Sequence, residues 1–386
     1  MIPLDVYLSS GAKRLRCGYT TGTCAAAAAQ AATELLLGKV LVPSVVVTTP
    51  AGIDVIVEVE ECEEGPGWAR CGVQKDGGDD PDVTDGVFVY ATVTYRDAAG
   101  VCIDGGVGVG RVTRAGLDQP VGAAAINSTP RQMIAEAVRT VVEAHGFEGG
   151  LAVEVSIPEG VELAKRTFNP RLGIEGGISV LGTTGIVRPM SEEALVASIR
   201  LELRMLRETG AARVLVVPGN YGLAFAEATL GLATEQAVSC SNHFGATIDE
   251  ACLLGFESVL IVGHIGKMVK VAGGVMNTHS RVADCRMEVL AAHAAMAGAS
   301  QRLVRGIMDA PTTDAALDLL DVEGLLQPAM GSLAERLEER LAYRSAGQAS
   351  VQAIVFSNAR GVLCATSGAE ELARLHHKAQ RTGGEG

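Results

Sequence analysis

From Gly263 to Arg286 the chain reads GHIGKMVKVAGGVMNTHSRVADCR, with His264, Lys267, Lys270, His279, Arg281 and Arg286 set against a single acid, Asp284. The whole chain carries a formal net charge of -13, so this local reversal of sign points to an anionic ligand. His264 is the first candidate for moving a proton, because an imidazole needs little adjustment to titrate near neutrality. His264 and His279 have no supporting cysteine or acidic spacing around them, so they predict no metal site. A second chemical stretch is KDGGDDPDVTDG, Lys75 to Gly86. Its carboxylates miss the EF-hand spacing, which leaves a metal-free acidic loop in which Asp79 is the second candidate base. A third is RLRCGYTTGTC, residues 14 to 24, where the Thr20, Thr21 and Thr23 hydroxyls precede a helix. Such a run either seats an anion on free N–H groups or simply caps the helix. No G-x-S-x-G elbow, HExxH pair or Walker loop occurs.

The elements that position these groups change character along the chain. A helix is expected from about Cys24 to Leu37, capped by Thr21 or Thr23 and stopped by Gly38, with its alanines suited to close packing on a sheet. Strands are expected at 40–48, 53–60, 68–74, 87–95 and 151–157, with hairpin turns at 50–52 and 97–100 and a helix from Pro130 to Ala144. The glycine-rich run Val101 to Gly110 precedes Pro120 and turn formers rather than a helix, so it reads as a β segment and not as a nucleotide loop, with Arg111 and Arg114 beside it. From about residue 171 the pattern becomes strand, glycine loop, helix. Strands at 178–181, 213–217, 237–239 and 258–262 end in Gly182-Thr183-Thr184-Gly185, Gly219-Asn220-Tyr221-Gly222, Cys240-Ser241-Asn242 and Gly263-His264-Ile265-Gly266. Four such units predict a parallel sheet whose loops share one carboxyl edge, the ligand edge of open α/β folds. A loop is expected after Gly266, a helix from Ala283 to Ala297, short helices over 303–320, a capping box at Ser332 and Glu335, and a last strand at 351–356. The histidines 376 and 377 are expected to be exposed and the tail from Thr382 to fray. The fold class is therefore α/β: an α+β domain over 1–170 and a Rossmann-like parallel-sheet domain over 171–386.

Composition narrows the function. At 386 residues and 48% hydrophobic content the chain can bury two cores, and no apolar run is long enough for a membrane span. The first residues lack a secretory pattern, so a cytoplasmic location is expected. Nine cysteines without a CxxC pair argue against a disulfide framework and a zinc ribbon. An acidic chain with a single tryptophan has neither the basic face nor the stacking platform of a nucleic-acid binder. Association with copies of itself is allowed but not required.

Six segments in order resemble one family: GYTTGTCAAA from Gly18, DGGDDPDVT from Asp76, LGTTGIVRPM from Leu181, GNYG from Gly219, GHIGK from Gly263 and MNTHSR from Met276. They are similar to cobalt-precorrin-5B C1-methyltransferases, the CbiD family of anaerobic cobalamin biosynthesis. The match runs over residues 14 to about 290 and is looser beyond 300; Cys17 and Cys285 depart from it. The resemblance implies S-adenosylmethionine as methyl donor and a cobalt-containing tetrapyrrole with many carboxylates as substrate, the cobalt belonging to the substrate and not to a protein metal site. It implies methylation of C1 of cobalt-precorrin-5B to give cobalt-precorrin-6A, by attack of the macrocycle carbon on the sulfonium methyl. Gly182 to Gly185, Gly219 to Gly222 and Gly263 are then expected to hold the donor. Thr20, Thr21, Thr23, Arg111, Arg114, Arg188, Lys267, Lys270, His279 and Arg281 are expected to meet the substrate. The alternatives are a non-catalytic corrinoid carrier and a nicotinamide-dependent tetrapyrrole reductase.

Overall fold

The structure is a computed structural model that describes residues 2–10, 13–167, 169–170 and 172–377. It divides into two compact units, Met1–Ser191 and Glu192–Gly386. Both mix helices with sheets, and no helix among the described residues is long and apolar enough to cross a membrane. The tail from Thr382 lies outside the described residues.

In the first unit a five-stranded sheet runs in the order Glu61–Gly65, Trp68–Gln74, Phe88–Arg96, Gly150–Ser156, Gly100–Gly105. The helix Thr21–Gly38 packs on the central strands on one side and against the helix Ser128–Ala144 on another. Residues Cys24 to Ala29 have no exposed surface. Alanine makes that possible, because a helix without bulky side chains can be approached closely by neighbours on several sides. The expected hairpin at 97–100 is not formed: Phe88–Arg96 and Gly100–Gly105 both pair with Gly150–Ser156, antiparallel and parallel respectively. Gly150 permits this insertion, since a Cβ there would overlap the Ala98 carbonyl oxygen.

The expected strand at 178–181 also belongs to the first unit. Gly177–Ile178 pairs with Gly108–Val109, Ile174–Glu175 with Arg111–Val112, and Ile186–Val187 with Gly18–Tyr19. These pairings carry the first unit to Ser191, past the expected boundary at 170.

In the second unit the sheet order is Val238–Ser239, Arg213–Val217, Ser258–His264, Ser350–Ser357, Gly361–Ala365. The first four strands are parallel and the last is antiparallel. Alternating side chains serve both faces. Val214, Val216, Val259 and Ile261 join a core with the helices Phe244–Leu253, Ile265–Ala272 and Leu326–Ser345, while Leu215, Val217, Leu260 and Val262 join another with Asn220–Ala228 and Ala369–Leu375. Near-continuous Val/Ile/Leu runs are what strands buried on both faces require. Ser332 does not start a helix; Leu326–Ser345 runs through it, and its hydroxyl lies 2.9 Å from His293 Nδ1.

Candidate functional site

Strand Arg213–Val217 is followed by a connection that leads outward to Val238–Ser239, and its other neighbour, Ser258–His264, continues toward Ser350–Ser357. Where adjacent parallel strands send their connections opposite ways, their carboxyl ends splay and leave a crevice. A cavity of about 390 Å³ lies there, lined by Pro218 to Gly222, His264, Gly266, Lys267, Asp314 and Asn358.

Gly219 turns the strand into the helix Asn220–Ala228 at φ 147° and ψ −170°, a conformation essentially restricted to glycine. One turn on, a Cβ at Gly222 would stand 2.8 Å from the Val262 carbonyl oxygen, so this helix start lies close on the neighbouring strand. The stretch after His264 is not a loop: Ile265–Ala272 is a helix, and His264 is its N-cap, Nδ1 accepting from the Gly266 N–H at 3.1 Å. The imidazole stands edge-on to Phe356, which stacks on Phe225. Burial pushes the His264 imidazole below its ordinary value, with the Asp314 carboxylate pulling part of the way back. A neutral ring that accepts at Nδ1 carries its proton on Nε2. His264 therefore offers a donor in this arrangement rather than the free base expected of it.

Lys267 donates to the Pro218 and Ser241 carbonyls at 3.1 and 3.0 Å, tying together the ends of two strands. Burial holds its ammonium below its usual value. Lys270 is 4% exposed and donates to Thr278 O and Ala283 O, with Asp284 at 3.8 Å. It clamps the segment after the helix, so the expectation that it meets substrate carboxylates does not hold; its donors are spent on backbone. Arg286 pairs with Asp284. Arg281 is exposed and His279 half-buried, on a segment whose Thr278 bonds Asn242. Gly263 sits inside its strand, where a Cβ would overlap the Met268 sulfur, and does not line the cavity.

The other expected residues lie in the first unit. Thr20 caps the helix Thr21–Gly38, accepting from Thr23 N–H, and the N–H groups of Gly22 and Cys24 go to the carbonyls of Leu181 and Thr20. Thr21 and Thr23 donate to Leu181 O and Gly185 O. The anion seat is thus used up internally, and Gly182 to Gly185 pack on this helix start instead of lining the parallel-sheet edge. Thr184 closes its own turn onto Ile186 and Thr183 is exposed. Asp79 accepts the Arg16 N–H at 2.6 Å and Asp80 that of Met190 at 2.8 Å. Both staple segments of the unit. Arg111 makes a bidentate pair with Asp104 and donates to Gly105 O, so its guanidinium is occupied. Arg114 and Arg188 are exposed.

Residues 8–189 match the CbiD family model and residues 277–367 the model of the CbiD C-terminal domain. A cobalt-precorrin-5B C(1)-methyltransferase of Ruminiclostridium cellulolyticum is 45% identical over 355 residues, 92% of each chain. The chain belongs to the CbiD family. A relative of the same name from Alkaliphilus metalliredigens is 43% identical over 96% of this chain and 98% of its own. A crystal structure of a cobalamin biosynthesis protein (cbiD) from Archaeoglobus fulgidus is 34% identical, covering 72% of this chain and 86% of that one, with a TM-score of 0.40. The cavity residues 218 to 267 of this CbiD chain fall between the two matched segments.

Asp314 and Asn358 were not singled out in the sequence; the first opens the helix Thr313–Val322 and the second follows the strand Ser350–Ser357, both far along the chain from the glycine loops. Among the described residues no group of three or more His, Cys, Asp or Glu could hold a metal ion.

Three imidazoles of the second unit, His293 buried and His264 and His376 half-buried, give a pH prediction. Burial lowers His264, His293 and His376 from the ordinary value of 6.5. Just below that value the unfolded chain binds more protons than the folded one, so stability falls as pH drops from 6.5 towards the folded values. Asp76, Asp82 and Asp104 titrate below 3.8 and do not contribute in that window. Melting temperature is expected to fall by a few degrees between pH 7.5 and 5.5. A flat calorimetric profile across that range would rule this out.

Proposed function

We propose that this chain is the S-adenosylmethionine-dependent C-methyltransferase that converts cobalt-precorrin-5B to cobalt-precorrin-6A, and that its second unit is a Rossmann-like donor-binding unit. The observation that carries the donor site is the cavity at the splayed carboxyl ends of Arg213–Val217 and Ser258–His264. Its walls suit the donor in three respects. Gly219 holds a backbone conformation that only glycine adopts readily, and Gly222 lies where a side chain cannot stand. Two helix starts, at Asn220 and Ile265, favour the donor's carboxylate. Asp314 adds an acidic side chain to the wall.

When bound, S-adenosylmethionine supplies an electrophilic methyl group. The protein's part is to orient and desolvate, effects that together reach about 7–11 kcal/mol in well-ordered reactions. Gly219 to Gly222 shape the donor seat, and His264, neutral and fixed through Nδ1, presents an N–H. Lys267, on the helix that follows Ser258–His264, donates to Pro218 O beyond Arg213–Val217 and so ties the two sides of the crevice together. For a macrocycle carboxylate we propose Arg281, exposed on the second unit, with His279 beside it. Asp79 is left with a stapling role, and the attacking carbon of an electron-rich macrocycle does not require a strong base.

Calorimetric titration of the purified protein separates the readings. S-adenosylmethionine is expected to bind with heat and NADPH to give none. Binding of NADPH alone would indicate a reductase, and binding of neither a corrinoid carrier.

A further inference from the structure

Asp314 is the one acidic residue lining the cavity. It lies in the first turn of the helix Thr313–Val322, whose N-cap is Thr312. A carboxylate there complements the helix dipole, which explains an acid in a first turn. It does not explain Oδ1, which is shut off from solvent and has no hydrogen-bond partner. Leaving a buried acceptor unpaired is costly, more so when it is charged. Asp314 as a whole is half-buried and lines the cavity, so its carboxylate meets what fills that space.

The neighbourhood narrows what that partner is. The start of Thr313–Val322 adjoins that of Ile265–Ala272, since a Cβ on Gly266 would stand 3.9 Å from Thr313 Oγ1. His264 is held neutral by burial and is engaged through Nδ1 with the Gly266 N–H. Lys267 gives two of its three protons to Pro218 and Ser241, and an ammonium has a third. One cavity thus carries a carboxylate lacking a donor and an ammonium with a proton to give. That is the charge pattern of an α-amino acid in complement.

We propose that Asp314 binds the α-ammonium group of the methyl donor's amino-acid head, with Lys267 beside its carboxylate. The inference rests on the reading that the cavity holds S-adenosylmethionine. A ribose hydroxyl could donate to the carboxylate but would leave its charge unneutralised, and a sulfonium has no N–H to give. The ammonium supplies both.

The test is calorimetry on the full chain with two probes: S-adenosylhomocysteine, which keeps the amino-acid head, and 5′-methylthioadenosine, which lacks it. For Asp314→Asn, S-adenosylhomocysteine affinity is expected to fall about thirtyfold, the scale of one charge-assisted hydrogen bond. Affinity for 5′-methylthioadenosine is expected to stay at the wild-type value, which also shows that the variant folds. Wild-type affinity of Asp314→Asn for S-adenosylhomocysteine overturns the proposal, and so does an equal loss for both probes. Gly222→Val keeps the two ideas apart. If that variant binds S-adenosylhomocysteine as the wild type does, or the wild type binds none, the donor site itself is misplaced and the role of Asp314 falls with it.

Discussion

Lys267→Met is expected to lower the melting temperature by roughly 5–10 °C and to weaken S-adenosylmethionine binding, while leaving the salt dependence of the macrocycle KM as in the wild type. The side chain donates to Pro218 O and Ser241 O, which follow adjacent parallel strands. Hydrogen bonds from a charged donor are worth about 1.5–3 kcal/mol each. Burial already works against this ammonium, as its lowered pKa shows, so the net loss is expected at or just below the low end of the two-bond sum, about 2–3 kcal/mol. Methionine keeps the length of the stem and removes the donors. The helix Ile265–Ala272, which follows Ser258–His264, then loses its tie to Pro218 O beyond Arg213–Val217, and the crevice between those two strand ends loosens where the donor is proposed to sit. An exposed lysine holding a substrate carboxylate would behave otherwise: KM would rise, the change would shrink with salt over a screening length of about 10 Å at 0.1 M, and the melt would not move. Thermal melts and calorimetry on the same variant tell these apart, and an unchanged melting temperature would return Lys267 to the role that charge counting assigns it.

Lysines 267 and 270 show where a sequence stops being informative. Their charge is visible in the chain, but the backbone carbonyls that absorb it are not, because any carbonyl can serve and position alone decides. Strands buried on both faces were the legible part. Arg213–Val217 has the expected bounds, and Ser258–His264 and Ser350–Ser357 extend the expected runs by one or two residues at their ends, since β-branched runs of that length leave few alternatives; Trp68–Gln74, partly exposed along one face, also has its expected bounds. Pairing was less legible. Nothing local distinguishes a turn at 97–100 that closes a hairpin from one that leaves room for Gly150–Ser156 between its arms. The glycine loops raise the same difficulty: Gly182 to Gly185 and Gly219 to Gly222 look alike in composition, yet the first is bonded to Thr20, Thr23 and Ala51 and the second opens a helix over the sheet edge. Asp314 was out of reach for a related reason, being separated from His264 by three helices whose packing alone brings it back.

Gly222→Val should reduce S-adenosylmethionine affinity at least about a hundredfold, a loss near 2.7 kcal/mol. A Cβ at this position would lie 2.8 Å from Val262 O, 3.1 Å from Pro218 Cδ and 3.3 Å from Val217 Cβ. Backbone and proline ring cannot swing aside as a long side chain would, so the helix Asn220–Ala228 must lift from the strand Ser258–His264. Overpacking of this kind costs about 1–3 kcal/mol, which a unit with two covered sheet faces can absorb without unfolding. The displacement falls on Gly219 to Gly222, the backbone that forms one wall of the cavity. Gly108→Val cannot serve as the contrasting variant, because a Cβ at Gly108 would overlap Ile157 O and disrupt the first unit outright. Gly331→Val can: Gly331 lies within the helix Leu326–Ser345 with nothing inside 4 Å of a built Cβ. That control is expected to bind S-adenosylmethionine like the wild type. If Gly222→Val, shown to be folded by circular dichroism, binds it equally well, the donor does not lie over the start of this helix, and the splayed strand ends are a feature of the fold alone.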